Sequence, residues 1–154
     1  MIPAPTPNAA GASSGASGRV GPELSVGDVV AERTVHLTRE SLVRYAGASG
    51  DFNPIHYRDD VAARVGLPGV LAHGMLTMGL SVETIVPWLG DAGRILEYGV
   101  RFTRPVVVDR DHGADVTVVA KVGAVDDESA RIDLTVTCAE TTVLGKAQVR
   151  VRLP

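Results

Sequence analysis

The 154-residue sequence has a single cysteine, Cys138, so an internal disulfide is excluded, and no Cys/His spacing resembles a structural zinc site. Aromatic residues make up only 4% of the chain, which leaves Val, Leu, Ile and Ala to build the core. An excess of basic charge is missing too. A formal net charge of -3 argues against non-specific nucleic-acid binding, which rests on a clustered positive surface, and leaves room only for local Arg patches. No uninterrupted apolar run approaches the roughly 18 residues of a membrane span, and the N-terminus lacks a cationic segment followed by an apolar one. A soluble protein of the reducing cytoplasm, with no nucleic-acid or membrane partner, is the expectation.

What is present fits one domain with a sizeable core. Residues 1–22 are dominated by Ala, Gly, Ser and Pro and have too few large apolar groups to offset the entropy of ordering. They read as a flexible tail, with a single domain over residues 23–154. The β-branched run from Asp28 to Leu37 predicts a strand. Thr38 then has the character of an N-cap, with Glu40 in the first turn of a short helix that ends around Gly47. Asn53 before Pro54 repeats the start signal and predicts a helix to about Val65, closed by Gly66. The stretch from Gly74 to Gly90 is apolar on nearly every side if wound as one helix, as expected of an enclosed central element.

Beyond it the period changes to two. Ala114, Val116, Val118, Ala120 and Val122 alternate with more polar neighbours. So do Ile132, Leu134, Val136 and Cys138, and then Ala147, Val149, Val151 and Leu153. Residues 94–102 and 106–108 supply further strand material, and Asp126-Asp127 a polar turn. The order predicts an α+β domain with an antiparallel sheet packed on one long helix. Cys138 shares a face with apolar neighbours and reads as a small core residue.

The densest group of chemically useful residues is Ser49-Gly50-Asp51-Phe52-Asn53-Pro54-Ile55-His56. Pro54 fixes its own φ and restricts Asn53, and Gly50 permits a backbone geometry most residues resist. Such a turn can hold a carboxylate and an imidazole together. A histidine in the first turn of a helix lies near the positive helix end, which favours the neutral ring able to accept a proton. A structural reading, with Asp51 capping a turn and His56 packed as a hydrogen-bonded residue, competes with this for either residue alone. A second segment, Leu71-Ala72-His73-Gly74-Met75, precedes the central helix. Its glycine offers a free backbone N–H suited to a carbonyl oxygen or oxyanion; for His73 a structural hydrogen bond is the favoured reading. Met75 and Met78 fit the core or an adaptable apolar channel. Arg101 and Arg104 suit phosphate groups or a solvated strand edge.

Together the run Tyr45-Ala-Gly-Ala-Ser-Gly-Asp-Phe-Asn-Pro-Ile-His56, the segment Ala72-His-Gly-Met75 and Val100-Arg-Phe-Thr-Arg-Pro-Val106 resemble the MaoC-like (R)-specific enoyl-CoA hydratases, or hydratase 2 family. Within it the sequence looks most similar to the catalytic subunit of actinobacterial 3-hydroxyacyl-acyl-carrier-protein dehydratases. The resemblance covers roughly Leu24 to Pro154. It implies a hot-dog fold and reversible hydration of 2-enoyl thioesters carried on coenzyme A or a carrier protein. Asp51 and His56 are the implied catalytic pair. Asn53, His73, Gly74 and Met75 are grouped as substrate-side residues, Asn53 through the turn it supports and Gly74 through its N–H on the thioester carbonyl. No metal or separate cofactor is implied, and a homodimer or a heterodimer with a related hot-dog subunit is. Where the family commonly has Pro-Gly-Asp after the kinked strand, this chain has Val108-Asp-Arg-Asp-His-Gly113. A thioesterase of the same fold, or a non-catalytic acyl-binding subunit, are the rival readings.

Overall fold

The period-two segments form strands, and a computed structural model describes them within residues 24–154. The N-terminal tail expected at residues 1–22 lies outside the described residues. β1 (Val29–Leu37), β2 (Ile95–Phe102), β3 (Ala114–Val125), β4 (Ser129–Cys138) and β5 (Thr141–Arg152) make one sheet in the order β1-β3-β4-β5-β2, with every neighbouring pair antiparallel. Alternation places Val116, Val118, Ala120 and Val122 on the same buried face as Ile132, Leu134, Val136, Ala147, Val149 and Val151. Each Val, Leu or Ile among them contributes roughly 1.5–3 kcal/mol by leaving water, and together they form the floor of the core. Cys138 ends this row half-buried, and burial raises its thiol pKa, as befits a packing residue.

Helices cover that face. α1 (Arg39–Ser49) begins as the sequence indicates: Thr38 and Ser41 form a reciprocal capping box. It runs past Gly47, because Gly50 is the residue that adopts the left-handed conformation, at φ 76°, and ends the helix. The helix expected from Pro54 to Val65 is two pieces: a 3-10 turn at Pro54–His56, then α2 (Asp59–Arg64). Tyr57, at φ -151°, breaks the continuity. His56 therefore ends a single tight turn and does not sit at the positive end of a long helix.

The central helix is likewise shorter than expected. α3 (Gly74–Glu83) and α4 (Val86–Leu89) meet at a bend around Ile85, where Pro87 in the first turn of α4 has no N–H to continue the ladder. The inward face of α3 carries Thr77 and Ser81, with Thr84 just beyond, whose hydroxyls bond to the carbonyls of His73, Thr77 and Leu80 four residues earlier. These small, self-satisfied side chains let the helix lie close to its neighbours. Its larger residues are not all enclosed: Met75 is 58% exposed and Leu76, Met78 and Leu80 are half-buried. Residues 106–108 form a bridge and not a strand, with Leu71 pairing to Val107, Ala72 N–H donating to the Val106 carbonyl and Val108 N–H to that of Val70. This short pairing carries segment 70–72 along the edge of the core to the start of α3.

Candidate active site

The turn that holds Asp51 and His56 is built from bonds between its own backbone N–H groups and side-chain oxygens. Asp51 N–H donates to Ser49 Oγ, Asn53 N–H to Asp51 Oδ1, and Ile55 N–H to Asn53 Oδ1, at 3.1–3.2 Å. These bonds wind residues 49–55 so that the half-exposed Asp51 carboxylate faces the buried His56 ring. Asp51 Oδ2 and His56 Nε2 are 3.8 Å apart. The sequence does bring this pair together, whereas Asn53 is occupied in shaping the turn.

The other ring nitrogen sets the chemistry of His56. Nδ1 lies 2.7 Å from the Leu71 carbonyl, which can only accept, so Nδ1 holds the hydrogen and the neutral ring presents a bare lone pair at Nε2. Leu71 is fixed in turn by its N–H to the Ile55 carbonyl at 3.1 Å. Two acceptors 3.8 Å apart can share one water about 2.8 Å from each, with an angle of roughly 85° at its oxygen. That separation leaves room for one water between two acceptors.

Gly74 opens α3, and the N–H of a first helical residue has no intrahelical acceptor. No other described group takes it. A Cβ at this position would meet the ring of Phe102 at 3.1 Å, so a larger residue here must displace that ring by a few tenths of an ångström. Phe102 and Gly74 line two adjoining cavities. One, of about 340 Å³, is bordered by His56, Leu71, Thr77 and Leu144; the other, of about 350 Å³, by Tyr45, Asp51, His73 and Met75. Gly74 and the half-exposed Phe102 are common to both cavities, one of which also borders His56 and the other Asp51. Arg104 stands on the rim of the first cavity, and Arg101 is exposed on β2. Sequence reasoning left Phe102 among strand residues and could not find the Leu71 carbonyl, since a main-chain atom has no residue-type signal.

Asp51, His56 and His73 bring three ligand-type atoms within 4.8 Å of one another. The two imidazoles are stacked, with centroids 3.8 Å apart and planes at 21°. Lone pairs lie in the ring planes, so those of stacked rings run side by side and do not converge on one ion at the roughly 2.0–2.1 Å that a metal requires. The departure at residues 109–113 forms a tight loop, with Asp109 and Gly113 exchanging two main-chain hydrogen bonds. Asp109 Oδ1 accepts from the N–H groups of Asp111 and His112, which hold its carboxyl down at about 2. Among the described residues no helix is long and apolar enough to cross a membrane.

A five-stranded antiparallel sheet around a central helix is the architecture of a hot-dog domain. Residues 25–143 match the MaoC-like domain family, and the chain belongs to it. The 3-hydroxybutyryl-CoA dehydratase of Methylorubrum extorquens is 30% identical over 75% of this chain and 73% of its own length. The 3-hydroxyacyl-thioester dehydratase X of Mycobacterium tuberculosis is 37% identical over 54% of this chain, which spans only 32% of that longer protein. The solved unliganded (R)-hydratase PhaJ1 of Pseudomonas aeruginosa superimposes with a TM-score of 0.73 at 31% identity, covering 86% of this chain and 83% of its own.

Proposed function

We propose that the chain is a hydro-lyase that reversibly hydrates trans-2-enoyl thioesters to (R)-3-hydroxyacyl thioesters in fatty-acid or polyketide-type metabolism. The observation that carries this reading is the bare Nε2 of His56, held by Leu71 at 3.8 Å from the Asp51 carboxylate and beside the free Gly74 N–H. A water shared by the pair adds its oxygen to the β-carbon and passes a proton to Nε2. The enolate charge that develops on the thioester oxygen is stabilised by the Gly74 N–H, and the α-carbon takes up a proton from the pair on the same face. Dehydration is the reverse. Positioned proton transfer contributes about 10²–10⁴-fold and an oxyanion donor about 10²–10³-fold.

The family and its dehydratase relatives support the substrate class, with coenzyme A or a carrier protein bearing the acyl group. The reading requires no metal or separate cofactor, and it takes the site to be cytoplasmic. A second hot-dog subunit, identical or related, is the partner that the exposed apolar residues of α3 and β2 fit.

The test is a crotonyl thioester assay that follows both loss of enoyl absorbance and free thiol. Wild type removes the absorbance without releasing thiol, and Asp51→Asn and His56→Ala each lower turnover by at least about 10²-fold with the fold intact. Thiol release identifies a thioesterase. A folded double variant with wild-type turnover removes the pair from the mechanism.

A further inference from the structure

His73 is 2% exposed and is not needed to fill space, since leucine would occupy similar room without burying two ring nitrogens. Its Nε2 lies 3.1 Å from the Asp51 carbonyl, so Nε2–H donates and the neutral ring has its lone pair at Nδ1. Nδ1 is buried with no hydrogen-bond partner. The ring stacks on His56, Tyr45 tilts onto it with centroids 4.9 Å apart, and the next residue in the chain is Gly74. The turn that presents Asp51 is otherwise held locally: its hydrogen bonds at residues 50–53 run to Ala46, Ser49, Ile55 and His56 or within the turn itself. Among the described residues, the bond from His73 is the one hydrogen bond from residues 50–53 that reaches beyond the neighbouring stretch 46–56; the later part of the turn is tied separately, through Ile55 and His56 to Leu71.

We propose that His73 is a positioning residue: a buried clamp whose Nε2–H bond to Asp51 and stacked face on His56 fix the carboxylate, the imidazole and the Gly74 N–H relative to one another. The clamp rests on the hydratase reading only for what it serves; its geometry stands by itself. A turn released from the core lets the carboxylate drift, and a misplacement of about 1 Å can lower turnover on the order of 10²-fold.

Two measurements test it. Multiple-bond ¹H–¹⁵N spectra of the wild-type protein are expected to show His73 as the Nε2–H tautomer; an Nδ1–H tautomer overturns the clamp. His73→Leu fills the space without a donor, while His73→Gln places an amide N–H near the same point. His73→Leu is expected to lower kcat by roughly 10- to 100-fold with KM changed less than about threefold, to shift the pH profile of kcat, and to speed amide exchange at Asp51 and Asn53. His73→Gln is expected to recover most of each. A folded His73→Leu protein that matches His73→Gln in kcat, pH profile and exchange shows a filler and overturns the proposal. If neither variant folds, the tautomer decides. A wild-type protein that has the Nε2–H tautomer but hydrates no enoyl thioester counts against the proposed activity and leaves the clamp standing.

Discussion

Gly74→Ala separates a role in binding the thioester carbonyl from a role in packing. The added methyl meets Phe102 Cε1 at 3.1 Å, Cδ1 at 3.4 Å and Cζ at 3.5 Å, so the ring edge must withdraw by a few tenths of an ångström. Phe102 is 52% exposed at the end of an edge strand and has room to do so. The penalty therefore falls below the roughly 1–3 kcal/mol of overpacking in an enclosed core. Alanine in a helix recovers up to about 1 kcal/mol over glycine, and the net change in stability should lie within about 1 kcal/mol of zero. For a domain of this size that is a Tm shift of no more than about 4 °C. Activity responds differently, because the methyl stands where the two cavities meet, beside the N–H. Complete loss of one oxyanion donor costs about 10²–10³-fold; obstruction that leaves the N–H in place should lower kcat/KM by roughly 10- to 100-fold. Enoyl-thioester hydration and thermal melting measure the two effects on one preparation. A folded Gly74→Ala protein with wild-type kcat/KM would refute the seating of the carbonyl at this N–H. In Gly74→Ala/Phe102→Leu the ring contact is relieved: activity that stays low places the effect at the N–H, and activity that returns places it on the ring.

Exhaustive chelation is expected to leave hydration unchanged, because the stacked imidazoles do not converge on an ion; inactivation reversed by one added metal would contradict that geometry. Burial pushes the Tyr98 hydroxyl up to about 12, and its O–H donates to the Met78 carbonyl at 3.0 Å. The folded state thus retains a proton that the unfolded chain loses near 10. Stability from this group is full below about pH 10 and is lost as pH rises toward 12. Tyr98→Phe should lower stability at neutral pH by about 1 kcal/mol and flatten the decline between pH 10 and 12, as read by denaturant melts; an unchanged alkaline slope would show the decline has another source. Light scattering on the purified chain should give a mass above its own 16.1 kDa, or do so once a related hot-dog subunit is co-expressed. A fully active monomer excludes both.

The strands were legible because alternation is a local signal: each of the three period-two runs has its apolar set on the buried face. Helix starts were legible too, since Thr38 and Asn53 act through bonds within a few residues. Helix ends were not. Gly47 and Gly50 are alike in composition, and only the path of the chain decides which one takes the left-handed turn. The break at Tyr57 and the pairing of residues 106–108 with 70–72 depend on distant backbone, which no period records. The apolar stretch of α3 read as enclosed because hydrophobicity reports a preference for burial and not which surface supplies it. In the site, the Gly- and Pro-constrained turn marked Asp51 and His56, whereas His73 looked merely structural until its bond to Asp51 and its stack on His56 stood together.

Several of the decisive atoms in this site belong to peptide groups. The Leu71 carbonyl sets the His56 tautomer, the Asp51 carbonyl receives His73, and the Gly74 N–H awaits an acceptor. A scan that replaces side chains one at a time would pass over Leu71 as tolerant, since Leu71→Met or Leu71→Val leaves the carbonyl where it is. Substituting the amide linkage after Leu71 by an ester leaves every side chain in place, weakens the carbonyl as an acceptor and removes the Ala72 N–H that donates to Val106. A loss beyond that of an ester after Val106, which weakens the same Ala72–Val106 bond from its other side, would expose a dependence that a comparison of related sequences cannot register.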